Sequence, residues 1–148
     1  MAPMQLVEVT DNSGNIIALN WLISAELVHR QLRPMLPADY VGRMREVFAN
    51  GARLLVAING DQVVGVALWR LVENTYEGLR LYVDDLVTDE LHRSQGVGKL
   101  LLQHLEVQAR TLGCHVLALD SGVQRAAAHK FYFREGMHIP SFCFRKTL

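Results

Sequence analysis

The residues best suited to chemistry lie between positions 79 and 98. Arg93-Ser94-Gln95-Gly96-Val97-Gly98 joins a strand-like run to a helix-like run. A glycine-containing turn at the start of a helix leaves several backbone N–H groups without intrahelical partners, and the helix dipole adds partial positive charge there. Such a turn suits an anion such as pyrophosphate, and Gly96 and Gly98 would let phosphate oxygens approach the main chain with no Cβ in the way. A plain strand-to-helix turn with incidental glycines has the same spelling, so this stretch alone leaves both readings open. Two known phosphate motifs fail. A Walker A loop needs Gly at 93 and Ser or Thr at 100, where this chain has Arg93 and Leu100; a dinucleotide fingerprint starting at Gly96 needs Gly or Ala in place of Leu101.

Just upstream stand two adjacent carboxylates, Asp84 and Asp85. A carboxylate can accept the proton of an ammonium group, directly or through a water. On a regular strand adjacent side chains point to opposite faces, so only one of the pair would meet a ligand unless a bulge intervenes. An acidic pair that only satisfies backbone donors or a neighbouring Arg is the structural alternative. The two cysteines, Cys114 and Cys143, lie in no CxxC pair, and His92, His104, His115 and His138 show no metal spacing, so no metal is expected.

These groups need a framework, and hydrophobic periodicity outlines one. MQLVEVT (4–10) alternates as a strand and ends in the turn cluster 11–15. Ile16, Leu19, Ile23 and Leu27 recur at helical spacing, predicting a helix over 16–32 with that apolar stripe, closed by Pro34. A second helix is expected over 37–50, then a hairpin of 53–58 and 62–72 around Asn59-Gly60. A strand over 79–88 leads through the glycine turn into a helix over 98–112, with an apolar stripe at Val97, Leu101, Leu105, Ala109 and Leu112. A strand over 115–120 follows, then a helix over 124–135 opened by a capping box of Ser121 and Gln124, and a last strand over 138–146. The order is β-α-α-β-β-β-α-β-α-β, an α/β (α+β) chain without repeats or linkers, read as a single domain over 1–148.

Composition narrows the class of function. Of 148 residues half are apolar, and 15 Lys plus Arg balance 15 Asp plus Glu. A neutral chain gives no electrostatic reason to expect nucleic acid, and the apolar fraction is too high for intrinsic disorder. The longest uncharged run, 12–25, is shorter than the ~20 residues a membrane span needs. The N-terminal MAPMQLVEVTD has no basic stretch followed by an apolar core, so no secretory signal is expected. A cytoplasmic, reduced protein is the default expectation.

Two stretches carry a family resemblance. LYVDDLVTDELHRSQGVGKLLLQHL, with its Arg93-x-x-Gly96-x-Gly98 loop, resembles the acetyl-CoA-binding strand, loop and helix of the GNAT N-acetyltransferases. RAAAHKFYFREGM resembles their second signature, a helix with a Phe-Tyr pair followed by Gly. The resemblance implies a mixed, mostly antiparallel sheet with helices on both faces and a splayed parallel pair that holds acetyl-CoA. Pantetheine and the acetyl carbonyl would meet the backbone of Leu86, Val87 and Thr88, with the Val87 N–H as oxyanion donor. The pyrophosphate would meet the amides of Arg93, Ser94, Gln95, Gly96, Val97, Gly98 and Lys99, with the Arg93 side chain adding charge.

Catalytic roles are implied in the same way. The YVDD segment resembles Tyr-x-Glu-Asp of polyamine and thialysine acetyltransferases, in which the Glu, matching Asp84, is a water-assisted base; Asp85 is the other candidate. Tyr132 matches the general acid that protonates the leaving thiolate. Arg125, Ala128, His129 and Tyr132 fall on one helical face, where Ala128 leaves room for a cofactor and Arg125 replaces a frequent Asn, in reach of a phosphate. Phe131 and Phe133 are expected in the core, and His129 is expected to be a hydrogen-bonded helix residue. In this family the loop between the first two helices, here 33–40, usually shapes the acceptor site.

The expected activity is direct transfer of acetyl from acetyl-CoA to a primary amine, of a small molecule in preference to a protein lysine or N-terminus. No acetyl-cysteine is expected, because neither cysteine lies in the motifs. A non-catalytic acyl-CoA-binding module and a general nucleotide-phosphate binder are the alternatives from other classes. The tail after Gly136 is short for two family strands, so the last strand is expected to complete the sheet differently or to pair across a homodimer.

Overall fold

A computed structural model of the chain describes residues 3–148. The elements are β1 (Gln5–Glu8), α1 (Leu19–Leu32), α2 (Tyr40–Ala49), β2 (Arg53–Asn59), β3 (Gln62–Asn74), β4 (Gly78–Thr88), α3 (Val97–Thr111), β5 (Val116–Leu119) and α4 (Ala126–Arg134). The strands form one sheet in the order β1-β2-β3-β4-β5, and the pairs β1–β2, β2–β3 and β3–β4 are antiparallel. β5 joins β4 after the α3 crossover, the kind of connection a parallel neighbour requires. Among the described residues no helix is long and apolar enough to cross a membrane. The chain separates into two compact units, one ending at Ala118 and one running from Leu119 to Leu148.

In the first unit helices cover both sheet faces. Leu54, Val56, Val66 and Leu68 alternate onto one face and pack with Leu22, Ala25 and Val28 of α1 and Met44 and Phe48 of α2. The other face receives α3 through Val97, Leu101, Leu105 and Ala109, four members of the expected stripe. Gly65 makes that seat: a Cβ there would lie 2.5 Å from Val97 Cγ1 and 2.9 Å from Leu101 Cδ1. The β2–β3 hairpin turns at Gly60, whose φ of 64° is the left-handed value that glycine adopts freely.

Five expectations for local structure fail. α1 starts at Leu19, not Ile16, because Asp11 caps the backbone N–H groups of Ser13 and Asn15, and Ile16 bridges back to Thr10. Its expected stripe faces solvent: Leu19, Ile23 and Leu27 are 44, 56 and 80 % exposed, while Leu22, Ala25, Val28 and His29 are buried. α1 carries two stripes of helical period, and the one that packs contains a histidine.

In the second unit α4 begins at Ala126 with Arg125 as a cap that makes no side-chain bond, so the Ser121–Gln124 capping box does not form. The Gln124 side chain instead folds over Gly122, where its amide would crowd any Cβ. No strand exists over 138–146. Pro140 removes a backbone donor, the alternation covers only Phe142 and Phe144, and Ile139, Phe142 and Phe144 are all exposed. Phe133, expected in the core, is 54 % exposed.

Candidate active site

β4 carries both groups of interest, and its pairing with β3 is irregular at the carboxylates. Leu68 lies opposite Asp85 and Trp69 opposite Val83, so Asp84 is an extra residue with no partner, a β-bulge. The bulge overrides the alternation that would have sent the two side chains to opposite faces. Leu68 and Arg70, two apart on β3, share a face; Asp85 sits opposite Leu68, and Asp84 Oδ2 accepts from Arg70 Nε at 2.8 Å and Nη2 at 2.6 Å. Both carboxylates therefore lie on the α1–α2 side of the sheet.

Asp85 is buried, and both of its oxygens are engaged. Oδ2 accepts from His29 Nε2 at 2.7 Å, and Oδ1 accepts from Arg33 Nε at 2.8 Å. Arg33 also donates to the Asp84 carbonyl, tying the end of α1 to the bulge. On its other side His29 Nδ1 is 2.8 Å from the Tyr40 hydroxyl. Burial pushes the Tyr40 hydroxyl far above its ordinary ionisation range, and the charges of Glu26 and Asp85 add to this. A carboxylate can only accept, so the hydrogen between His29 and Asp85 sits on Nε2. Burial alone would push Asp85 up; the hydrogen bond from His29 and the guanidinium of Arg33 outweigh it and hold the carboxyl below the usual carboxylate range.

Through His29, Asp85 and Arg33 this chain borders a partly open cavity of about 300 Å³. Met35, Leu36 and Pro37 of the α1–α2 connection form one wall, and Arg43, Met44 and Val47 of α2 form another. The connection expected to shape an acceptor site does line a cavity. Tyr40, in contrast, is a core residue at 2 % exposure. Asp85 borders the cavity, and Asp84 is not among its lining residues.

Sequence reasoning missed His29, Arg70 and the part played by Tyr40. One signal was available: His29 falls on the same helical face as Leu22 and Ala25, and a histidine on a buried face requires hydrogen-bond partners.

Beyond Thr88 the strand gives way to the glycine turn. Its start is pinned from α1: the Gln31 side chain donates to Asp89 Oδ1 at 2.8 Å and accepts from the Glu90 N–H at 3.0 Å, while the Asp89 N–H donates to the Val64 carbonyl at 2.8 Å. Ser94 takes φ 63° and Gly96 φ 82°, and Gly96 caps α3 with no side-chain bond. These two left-handed residues flank Gln95 and turn the chain into α3, where the first intrahelical bond runs from the Leu100 N–H to the Gly96 carbonyl and leaves the earlier amides without a helical partner. Arg93, Ser94, Gln95, Gly96 and Lys99 are exposed, Gly98 is half-buried, and only Val97 is buried, as the first knob of α3. A Cβ on Gly96 would meet nothing within 4 Å, so the space in front of the turn is open. Arg93 has no ion-pair partner among the described residues and keeps its donors free. The turn thus has the donors and the clearance that a pyrophosphate needs.

Leu86, Val87 and Thr88 pair with Ala67, Val66 and Gly65 on the β3 side. On the opposite side β5 has only four residues and begins beside the start of β4, where the His115 N–H donates to the Leu79 carbonyl at 2.9 Å. A strand that short ends before it reaches Leu86, leaving this β4 edge available to an extended ligand.

Within the second unit, burial pushes the Tyr132 phenol above its ordinary range, and the charge of Arg125, the residue that caps α4, works against this. Ala128 is half-buried between them in sequence. His129 Nε2 donates to the Gly122 carbonyl at 2.8 Å, so it is a hydrogen-bonded helix residue as expected. Cys114 and Cys143 are both free thiols.

Comparison with known proteins agrees with this geometry. The acetyltransferase (GNAT) family model matches residues 18–137. The chain is 43 % identical over 74 residues to an uncharacterized N-acetyltransferase of Bacillus subtilis, covering 49 % of this chain and 52 % of that protein. It is 36 % identical over 66 residues to the aminoalkylphosphonate N-acetyltransferase of Salmonella typhimurium, covering 45 % of this chain and 43 % of that one. The chain thus spans about half the length of the curated relatives it matches. Among solved structures, an aminoglycoside N-acetyltransferase in complex with CoA superposes with a TM-score of 0.81 at 17 % identity, covering 100 % of this chain and 97 % of that one. A ribosomal-protein-alanine N-acetyltransferase from Brucella melitensis gives 0.80 at 14 % identity, with 99 % of both chains covered. The structural likeness establishes the fold, and the family match over 18–137 establishes descent: this chain belongs to the GNAT acetyltransferase family.

Proposed function

We propose that the protein transfers an acetyl group from acetyl-CoA directly to a primary amine of a small molecule. One observation carries the reading: a single strand, β4, bears a bulged carboxylate pair of which Asp85 borders a pocket, and leads into a glycine turn at the uncapped start of α3. Acetyl-CoA, when bound, supplies the activated acyl thioester. The amides from Arg93 to Lys99 hold the pyrophosphate, and the free β4 edge takes the pantetheine as an added strand through Leu86 and Thr88. The Val87 N–H, in register with the Asp89 N–H that donates to Val64, points into the sheet toward Val66, so the Leu86 N–H takes its place as the donor to the acetyl oxygen.

An alkylammonium, with a pKa near ~10.4, must lose a proton before its nitrogen can attack the thioester carbon. Asp84, whose Oδ1 accepts no hydrogen bond among the described residues, takes the proton through a water; Asp85, with both oxygens held by His29 and Arg33, shapes the pocket wall beside it. Tyr132, with Arg125 and Ala128 on its helix, belongs to the cofactor-binding signature and gives the departing thiolate its proton; its raised ionisation range keeps it protonated for that role. The aminoalkylphosphonate acetyltransferase relative supports a small amine as acceptor over a protein side chain.

The test is release of free CoA thiol from acetyl-CoA on addition of amines, amino acids, polyamines, aminoglycosides or lysine peptides. Amine-dependent release with N-acetylated product supports the reading. Tight acetyl-CoA binding with no turnover on any acceptor replaces it with an acyl-CoA-binding module, and turnover of peptides alone moves the acceptor to proteins.

A further inference from the structure

The cavity beside Asp85 has a charge pattern that discriminates among amines. Two guanidiniums, Arg33 and Arg43, line it against one carboxylate, Asp85, with the His29 imidazole bonded to that carboxylate. That carboxylate is already compensated by His29 and Arg33. Nearby carboxylates are also committed: Asp84 to Arg70, Glu26 to Arg30, and Asp39 to the Gly42 N–H.

The guanidiniums, in contrast, keep donors in reserve. Arg33 uses Nε and Nη2, and its Nη1 has no hydrogen-bond partner among the described residues. Arg43 makes one bond, from Nη1 to Glu46 Oε2 at 3.0 Å, between side chains that are 52 and 67 % exposed. An exposed pair of this kind is easily exchanged for a better partner. The remaining walls, Met35, Leu36, Pro37, Met44, Val47 and Leu68, are apolar.

An acceptor with several ammonium groups would find no uncompensated carboxylate among the lining residues and would face two guanidiniums. A guanidinium fork with free donors matches a carboxylate or phosphonate, and the apolar wall matches a short aliphatic spacer. We infer that the acceptor is a small amine that also carries an oxyanion group, and that Arg43, with Arg33, selects it. This inference rests on the acetyl-transfer reading for its chemistry and on the cavity alone for its specificity.

The test compares wild type with Arg43→Gln and Arg43→Glu. The acceptors are aminoalkyl carboxylates, aminoalkylphosphonates, their uncharged amide counterparts and a polyamine. Binding of each compound is read separately, as a thermal shift without acetyl-CoA. The expected result is a kcat/KM at least tenfold higher for the oxyanion compounds than for the amides. Arg43→Gln should raise KM for the oxyanion acceptors at least tenfold more than for the uncharged ones, and Arg43→Glu should reverse the order. A carboxylate-only or phosphonate-only preference identifies which oxyanion is meant. Equal or better use of the amides or the polyamine, or a preference that survives both substitutions, overturns the inference and leaves acetyl transfer standing. Oxyanion binding that depends on Arg43 but brings no turnover supports the specificity and overturns acetyl transfer.

Discussion

Replacing Asp85 and Asp84 separately by alanine distinguishes a buried structural carboxylate from a surface ion pair one residue away. Asp85→Ala strands the Nε2–H of His29, a residue only 1 % exposed, and removes a charged acceptor from it. Losing one partner of a buried pair costs about 3–5 kcal/mol, most of it from the unsatisfied group left behind. The Arg33 arm adds little, because that guanidinium is half in solvent. Asp84→Ala breaks a bond to Arg70 between side chains 28 and 22 % exposed, and should cost about 1 kcal/mol. At roughly 2–4 °C per kcal/mol for a chain of this size, Asp85→Ala should lower Tm by about 6–20 °C and Asp84→Ala by about 2–4 °C. Combining Asp85→Leu with His29→Leu should recover part of the loss, because the stranded donor leaves with its acceptor.

The pH dependence follows from the direction of the Asp85 shift. Its folded pKa is depressed, so its stabilisation is complete above the ordinary carboxylate value of about 4 and is lost as pH falls through the lower folded value. The Tm gap between wild type and Asp85→Ala should therefore be full at pH 7 and close in strong acid. Equal Tm losses for the two alanine variants, or a gap that widens in acid, would refute the buried network.

Other outcomes test other parts of the structure. Leu27→Asn, at a position 80 % exposed, should change stability by less than about 0.5 kcal/mol, while Leu22→Ala, fully buried, should cost about 2–5 kcal/mol in chemical denaturation. Gly65→Ala should destabilise by about 1–3 kcal/mol, because its methyl would overlap Val97 and Leu101. Gly96→Ala meets no atom but must hold φ 82°, a strain of about 1–2 kcal/mol; calorimetry should show acetyl-CoA affinity reduced by roughly fivefold to thirtyfold. Tyr132→Phe should lower kcat about 100-fold or more in steady-state assays and leave acetyl-CoA Kd unchanged.

Local periodicity made much of the fold legible. The β2–β3 hairpin, α3 with its stripe and Gly113 stop, and the left-handed turn at Gly96 follow from residue types a few positions apart. α1 shows the limit of that reasoning. Leu19, Ile23 and Leu27 make the more apolar stripe, yet the buried face contains His29, whose place depends on Asp85, 56 residues away. The bulge at Asp84 was equally hidden, since it is a mismatch between two strands and has no mark in either one. The tail was misread because Phe142 and Phe144 alternate as a strand does, and alternation cannot show whether an edge is present to pair with. The glycine turn was legible because its shape is carried by the main chain, which the sequence positions directly through glycine and the start of a helix.

The most direct measurement is a titration of isotope-labelled protein with acetyl-CoA, followed through backbone amide chemical shifts. The account predicts saturable binding with the largest shifts at Ser94 to Lys99 and at Leu86 to Thr88. Absence of binding at millimolar acetyl-CoA, or saturable binding that leaves those amides unmoved, would contradict it.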